Sequence, residues 1–211
     1  MQPGAPREVG ILGAGRQALE TSGYCRSEGY SIAFFTEESA PGYPRDAASF
    51  PAPILAMDAC DDRWADTPVI AAVGAPQVKR RLLDLWPGRR FLTLVSSRAW
   101  VADSATIAAG TTIAPNVSLN AMVRLGAHVL VNVGAILSHD VVVDDYATIS
   151  PGCTLGGLVT VGCAAFIGIG ATVRDRVSVG RGAFVAAGAV VVHDVPDGQT
   201  VMGVPARPVP A

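Results

Sequence analysis

Three histidines, four cysteines and one glycine turn carry most of the chemistry this chain of 211 residues could perform. His139 leads, because Asp140 follows it directly. An imidazole serves as a general base when it is accessible, titrates near neutrality and has an acceptor on its other nitrogen. Asp140 is the nearest candidate for that acceptor, with a backbone carbonyl as the alternative. On composition alone, a plain surface histidine competes with the base. His128 and His193 read as structural or surface residues. No two histidines lie four or five residues apart, so a metal-ligating set is not expected. Cys25, Cys60, Cys153 and Cys163 form no CxxC pair and read as free thiols.

What positions His139 is a repeat. Residues 101–196 divide into sixteen hexads without an insertion, with Val, Ile or Leu first and Ala, Val, Thr or Cys fifth in every one. A period of six fits neither a helix nor an alternating strand. It marks a solenoid of short strands and turns, three hexads to a coil of 18 residues, with coils ~4.8 Å apart. The first-position aliphatics are expected to fill the corners of a triangular prism, and the small fifth positions to make room for them. Cys153 occupies a fifth position and should pack inside. His139 occupies a third position, which should face outward, stacked between Ala121 and Gly157. Residues 197–211 leave the pattern and are expected to fold over the open end.

The first 98 residues follow another rule. Strand-like runs at 8–12, 30–35, 54–58, 66–74 and 89–95 alternate with helical patterns at 16–28 and 75–86, the sign of a small βαβ domain with a parallel sheet. The first helix should bury Ala18, Leu19, Ser22 and Cys25. Lys79, Arg80 and Arg81 should lie on the solvated face of the second. Gly13-Ala14-Gly15-Arg16-Gln17-Ala18 carries the first two glycines of GxGxxG/A between a strand and a helix. Such a turn admits a phosphorylated ligand close to helix N–H groups. A nicotinamide dinucleotide, another nucleotide or phosphorylated ligand, and a purely structural turn all remain open for it.

Together these give a small Rossmann-like α/β domain (residues 1–98) followed by a hexapeptide-repeat parallel β-helix (residues 99–211). The net charge of −2 and the absence of a basic run argue against a nucleic acid or an anionic membrane as partner. The N-terminal residues show no signal region and no apolar run reaches membrane-spanning length, so a cytoplasmic location is expected.

The short βαβ domain with GAG, the VIAAVG strand, Asn132 seven residues before His139-Asp140, Gly156-Gly157 one coil later and the terminal Gly203-Val204-Pro205-Ala206 form a combination. It resembles the bacterial sugar O- and N-acetyltransferases of the sialic-acid and bacillosamine pathways. The resemblance implies a left-handed β-helix and a homotrimer with acetyl-CoA in a groove between subunits. It also implies a small-molecule acceptor, a sugar or nucleotide sugar, against the N-terminal domain. His139 would then be the general base, Asp140 its orienting acid, and Asn132 a contact to the acceptor. Gly157 would admit the thioester. Thr148 stands where the family often has a CoA-contacting histidine. Ile169 and Ala187 match pantetheine contacts, and Val204 and Pro205 the adenine end. Gly13, Gly15, Arg16, Gln17 and Glu37 fall at the nucleotide-sugar site. There the chain departs from the family, with Arg16-Gln17-Ala18 replacing glycine and histidine and with Phe35-Thr36-Glu37-Glu38 closing the second strand. An acceptor without a nucleotide, or another small amine or alcohol, is the alternative. A metal-dependent hydratase on the same solenoid would need more ligating histidines. A non-catalytic scaffold is the remaining class, and silence towards all CoA species would favour it.

Overall fold

The computed structural model describes residues 7–37, 47–60 and 62–209. Glu38, residues 39–46 and the final two residues lie outside the described residues. The chain divides into two units, Met1–Val73 with Gln77–Leu92, and Gly74–Pro76 with Thr93–Ala211.

The first unit is an α/β layer. β1 (Arg7–Leu12), α1 (Arg16–Ser27) and β2 (Tyr30–Glu37) form the expected βαβ unit, followed by β3 (Ile54–Ala56), β4 (Val69–Ala71) and α2 (Pro76–Leu85). The sheet runs β3-β2-β1-β4 and is parallel throughout. Val9, Ile11, Leu12, Phe34, Phe35, Val69 and Ile70 are all buried, as strands covered on both faces require. Gly10 leaves room for the Phe34 ring, which packs between Trp64 (4.7 Å between centroids) and Trp86 (5.6 Å).

Several boundaries differ from the sequence reading. Residues 54–58 end as a strand at Ala56, and Met57–Ala59 turns into a short 3-10 helix. Residues 66–74 keep only three in the strand. Residues 89–95 split: Phe91 bridges to Val69 of β4, while Leu94–Val95 pairs with Thr112–Ile113 and starts the solenoid. On α1, Thr21 is buried and Leu19 only half so. The largest departure is Lys79. It is 1% exposed, whereas Arg80 and Arg81 face solvent. Positions 79, 82, 83 and 86 form one buried stripe at helical spacing, and Lys79 belongs to it.

The second unit is a left-handed parallel β-helix. Its first face stacks Leu94–Val95, Thr112–Ile113, Leu130–Val131, Thr148–Ile149, Phe166–Ile167, Phe184–Val185 and Thr200–Met202. The second stacks Trp100–Val101, Ser118–Leu119, Ile136–Leu137, Thr154–Leu155, Thr172–Val173 and Val190–Val191. The third stacks Thr106–Ile107, Arg124–Leu125, Val142–Val143, Thr160–Val161 and Ser178–Val179. From Leu94 to Val191 each rung pairs with the one 18 residues away, as in Ile136↔Thr154, and the last step, Phe184↔Thr200, is 16.

The strands therefore occupy the sixth and first hexad positions, and the turns fall at the third and fourth. The first-position aliphatics point inward from flat faces rather than from corners, which corrects the sequence expectation. Burying each contributes roughly 1.5–3 kcal/mol. The corners have their own demand. Every fourth position from Gly110 to Gly188 has a positive φ, and eight of these residues are not glycine. An L-residue there costs about 1–2 kcal/mol. The burial in each hexad exceeds that cost, so the repeat tolerates such corners.

The C-terminal segment also differs from expectation. Thr200–Met202 adds one more rung to the first face, and Arg207–Pro208 then pairs antiparallel beside it. The segment extends the column before closing its edge.

Candidate active site

His139 and Asp140 form the turn between Ile136–Leu137 of the second face and Val142–Val143 of the third. Asp140 is a fourth-position corner residue with φ 60°, and its N–H donates to Ala121 O at 2.9 Å. This places its Oδ2 2.9 Å from His139 Nδ1. A carboxylate at that distance suits a proton on Nδ1, the tautomer that carries its lone pair on Nε2. The side chains of His139 and Asp140 are 63% and 43% exposed, so a reactant can reach the pair.

The ring lies against the coil above. A Cβ added to Gly157 would sit 2.6 Å from His139 Nε2 and 2.7 Å from Cε1. The glycine thus makes room for the imidazole itself, and Nε2 faces the Gly157 backbone. Sequence stacking placed these two residues together, and the structure gives the contact.

The remaining solenoid residues lie elsewhere. Asn132, Ile169 and Ala187 lie at or beside the turns from the first face to the second, along the other edge of the second face. Val204 and Pro205 continue that edge, since Gly203 O and Ala206 N both bond to Val190 of the second face. Roughly six residues of extended backbone separate the two edges, ~20 Å. One chain therefore does not bring Asn132, Ile169, Ala187, Val204 and Pro205 to His139. Ile169 and Val204 are strongly exposed, while Asn132 is buried, its Oδ1 accepting the Val133 N–H at 2.7 Å. Thr148 is buried in this chain, and its hydroxyl donates to Gly74 O at 2.8 Å.

That second edge has a feature the hexad reading passed over. Its fourth positions are Asn116 and then Gly134, Gly152, Gly170 and Gly188, and a Cβ at any of the four glycines would meet nothing within 4 Å. The backbone conformation does not demand glycine, because eight other corners hold side chains in it. Packing within the chain does not demand it either. The glycines leave the edge bare for something outside the chain to approach. Reading the sequence in steps of 18 instead of six exposes this ladder.

In the first unit, Gly13 ends β1 with φ 124° and donates its N–H to Thr36 Oγ1 at 3.2 Å. A Cβ there would press on Val73 and the Ala72 carbonyl beyond β4. β2 lies on one side of β1 and β4 on the other, so Gly13 marks the point where the strand order reverses. Ligands of open α/β sheets bind at such points. Gly15 caps α1 with open space around it, Arg16 is exposed, and Gln17 and Glu37 are half-buried.

Of the four cysteines, Cys25, Cys60 and Cys153 are buried and Cys163 is half-buried. Cys153 is fully buried, its Sγ 3.1 Å from Gly168 O, and burial pushes its thiol up to about 11. Burial pushes Cys25 up to about 12. His128 lies over Gly110 and stacks on Tyr146 at 5.5 Å. His193 is exposed at the top of the column. Among the described residues, no cluster of His, Cys, Asp or Glu could hold a metal ion, and no helix is long and apolar enough to cross a membrane.

The chain is similar along its length to solved acetyltransferases. It aligns with the acetyltransferase domain of PglB from Neisseria gonorrhoeae FA1090 at TM-score 0.83 and 28% identity, covering 96% of this chain and 100% of that one. That domain has also been solved with acetyl coenzyme A. PerB from Caulobacter crescentus, in complex with CoA and GDP-perosamine, aligns at TM-score 0.83 and 27% identity over 96% of this chain and 97% of that one. WeeI from Acinetobacter baumannii AYE aligns at TM-score 0.81 and 26% identity, covering 95% and 99%. The resemblance to the sugar acetyltransferases holds. The chain is an acyltransferase. No family model and no curated protein sequence matches it.

Proposed function

We propose that the enzyme transfers an acetyl group from acetyl-CoA to the amine of a nucleotide-linked amino sugar, with His139 as general base. The observation that carries this reading is the exposed His139–Asp140 pair with Nε2 turned to the Gly157 backbone. Asp140 fixes the tautomer, and Nε2 takes a proton from the acceptor nitrogen as that nitrogen attacks the thioester carbonyl. The C–N bond forms, the C–S bond breaks, and the proton passes to the departing thiolate. The Gly157 N–H, which makes no hydrogen bond within the described residues, is the donor suited to the developing oxyanion. The PglB domain solved with acetyl coenzyme A and the PerB complex with CoA and GDP-perosamine support this donor and this acceptor class.

The donor's track follows from the glycine ladder. A long flexible thioester arm lies best on an edge without side chains, and Ile169, Ala187, Val204 and Pro205 border that edge. The base stands on the other edge of the second face, so we infer a homotrimer in which one subunit's His139 edge meets its neighbour's glycine edge. The outer side of the second face supports this arrangement. It presents Trp100 (56% exposed), Ile136 (43%) and Val190 among Ser118, Thr154 and Thr172, whereas the third face presents Val142 among Thr106, Arg124, Thr160 and Ser178. The two large exposed side chains of the second face would be covered at a threefold axis. Asn132 would then approach the acceptor from the neighbouring copy. The nucleotide would occupy the crevice at Gly13, near Gly15, Arg16, Gln17 and Glu37, with the N-terminus of α1 facing its phosphates.

The test is His139→Ala assayed with acetyl-CoA and nucleotide-linked amino sugars. Transfer should fall by roughly 10²–10⁴-fold with an unchanged melting profile. Near-normal turnover would remove His139 from the mechanism, and no stabilisation of the wild-type protein by any CoA species would favour a scaffold.

A further inference from the structure

The corners of the solenoid single out two residues that the mechanism does not use. Among the eight non-glycine residues at positive φ, Met122 (φ 60°) and Leu158 (φ 63°) are large, apolar and exposed, at 49% and 42%. Asn116 and Arg176 are polar, Ala164 is buried, and His128 and Tyr146 stack on each other. Met122 and Leu158 lie 18 residues before and after Asp140, so they stand on the coils directly below and above it. A bulky apolar side chain gains little from exposure, and this backbone region disfavours it. Two such residues bracket the His–Asp pair.

The direction of the imidazole separates them. Nε2 faces Gly157, on the upper coil, where Leu158 is the next residue and donates its N–H to His139 O at 3.0 Å. Met122 belongs to the lower coil, on the Ala121 side where the Asp140 N–H is bonded. Of the two, only Leu158 is on the coil that Nε2 faces.

We propose that Leu158 is a specificity-determining residue of the transfer, packing against the acceptor carbon next to the reacting amine. This rests on the acyl-transfer reading given above. Leucine offers no hydrogen bond, so it favours an acceptor that presents a C–H or methyl surface there. A hydroxyl pressed against it loses its water without a replacement. Against a wall of this kind, one added polar group changes selection by roughly 10- to 100-fold.

The experiment measures acetyl transfer to GDP-perosamine, whose methyl group neighbours its amine, and to the same nucleotide sugar carrying hydroxymethyl instead. Wild type, Leu158→Ala and Met122→Ala are compared, with their masses in solution. Alanine fits the corner, since Ala164 already adopts φ 56°. Leu158→Ala should raise KM for GDP-perosamine about tenfold, leave KM for acetyl-CoA unchanged and narrow the preference for methyl over hydroxymethyl. Met122→Ala should leave all three as they are. An unchanged acceptor KM in Leu158→Ala, equal effects of the two substitutions, or a change of subunit number in either would overturn the proposal alone. Absence of transfer by the wild type to either acceptor, or to any other nucleotide-linked amino sugar, would overturn the acyl-transfer reading and this proposal with it.

Discussion

His139 is set by two neighbours of opposite kind, one that holds it and one that makes room for it. Asp140 reaches Nδ1 from a left-handed corner, and Gly157 leaves space for the ring. Gly157→Ala should therefore displace the imidazole. We expect kcat to fall at least tenfold while the melting temperature stays within a few degrees, since Gly157 is not itself at a positive φ. Lys79 is a residue-scale feature of another sort. Burial lowers its ammonium to about 7, against about 10.4 in an unfolded chain. Between those values the unfolded chain holds a proton that the folded chain lacks, so the Lys79 contribution to stability grows as pH rises from about 7 to about 10 and is lost as pH falls through 7. Lys79→Met should flatten the rise in stability between pH 7 and 10 relative to wild type, measured by melts from pH 6 to 10.

At the scale of elements, the solenoid was legible and its corners were not. A repeat of six with fixed aliphatic and small positions leaves one architecture, and Val, Ile and Leu at the first position are buried in all rungs from Ile113 to Val191. Periodicity does not show which way the strand lies within the hexad, so the corners were placed two positions away from where the turns fall. The α/β unit shows the converse. Its strands are short because residues beyond Ala56 and Ala71 turn away, and no pattern in 54–58 or 66–74 marks that stop. Lys79 was misplaced because charge was weighed above helical phase. The glycine ladder yields the element-scale prediction. Gly170→Leu should fold, because Leu158 holds the same corner conformation and a Cβ at Gly170 meets nothing within 4 Å. It should weaken acetyl-CoA binding at least tenfold by titration calorimetry, and unchanged affinity would move the donor off that edge.

For the whole molecule, the division of site residues between two edges predicts shared sites. His139→Ala and Gly170→Leu, each impaired alone at low acetyl-CoA, should recover part of the wild-type rate when unfolded and refolded together, because some mixed interfaces then pair an intact His139 edge with an intact glycine edge. Light scattering should give three times 21.7 kDa for each variant. No recovery from co-refolded trimers would place the complete site within one chain. The His139–Asp140–Gly157 cluster was readable from stacking alone, but its separation from Asn132, Ile169 and Ala187 needed three dimensions, since residues seven apart in sequence sit on different edges. The strained corners carry a last consequence. Arg176 is exposed at φ 62° on the same corner as Asp140, one coil above Leu158, and glycine there would relieve about 1 kcal/mol. The column thus contains stabilising substitutions that its sequence has not made, and Asp140 is one corner where such a change would remove the carboxylate that holds the His139 ring.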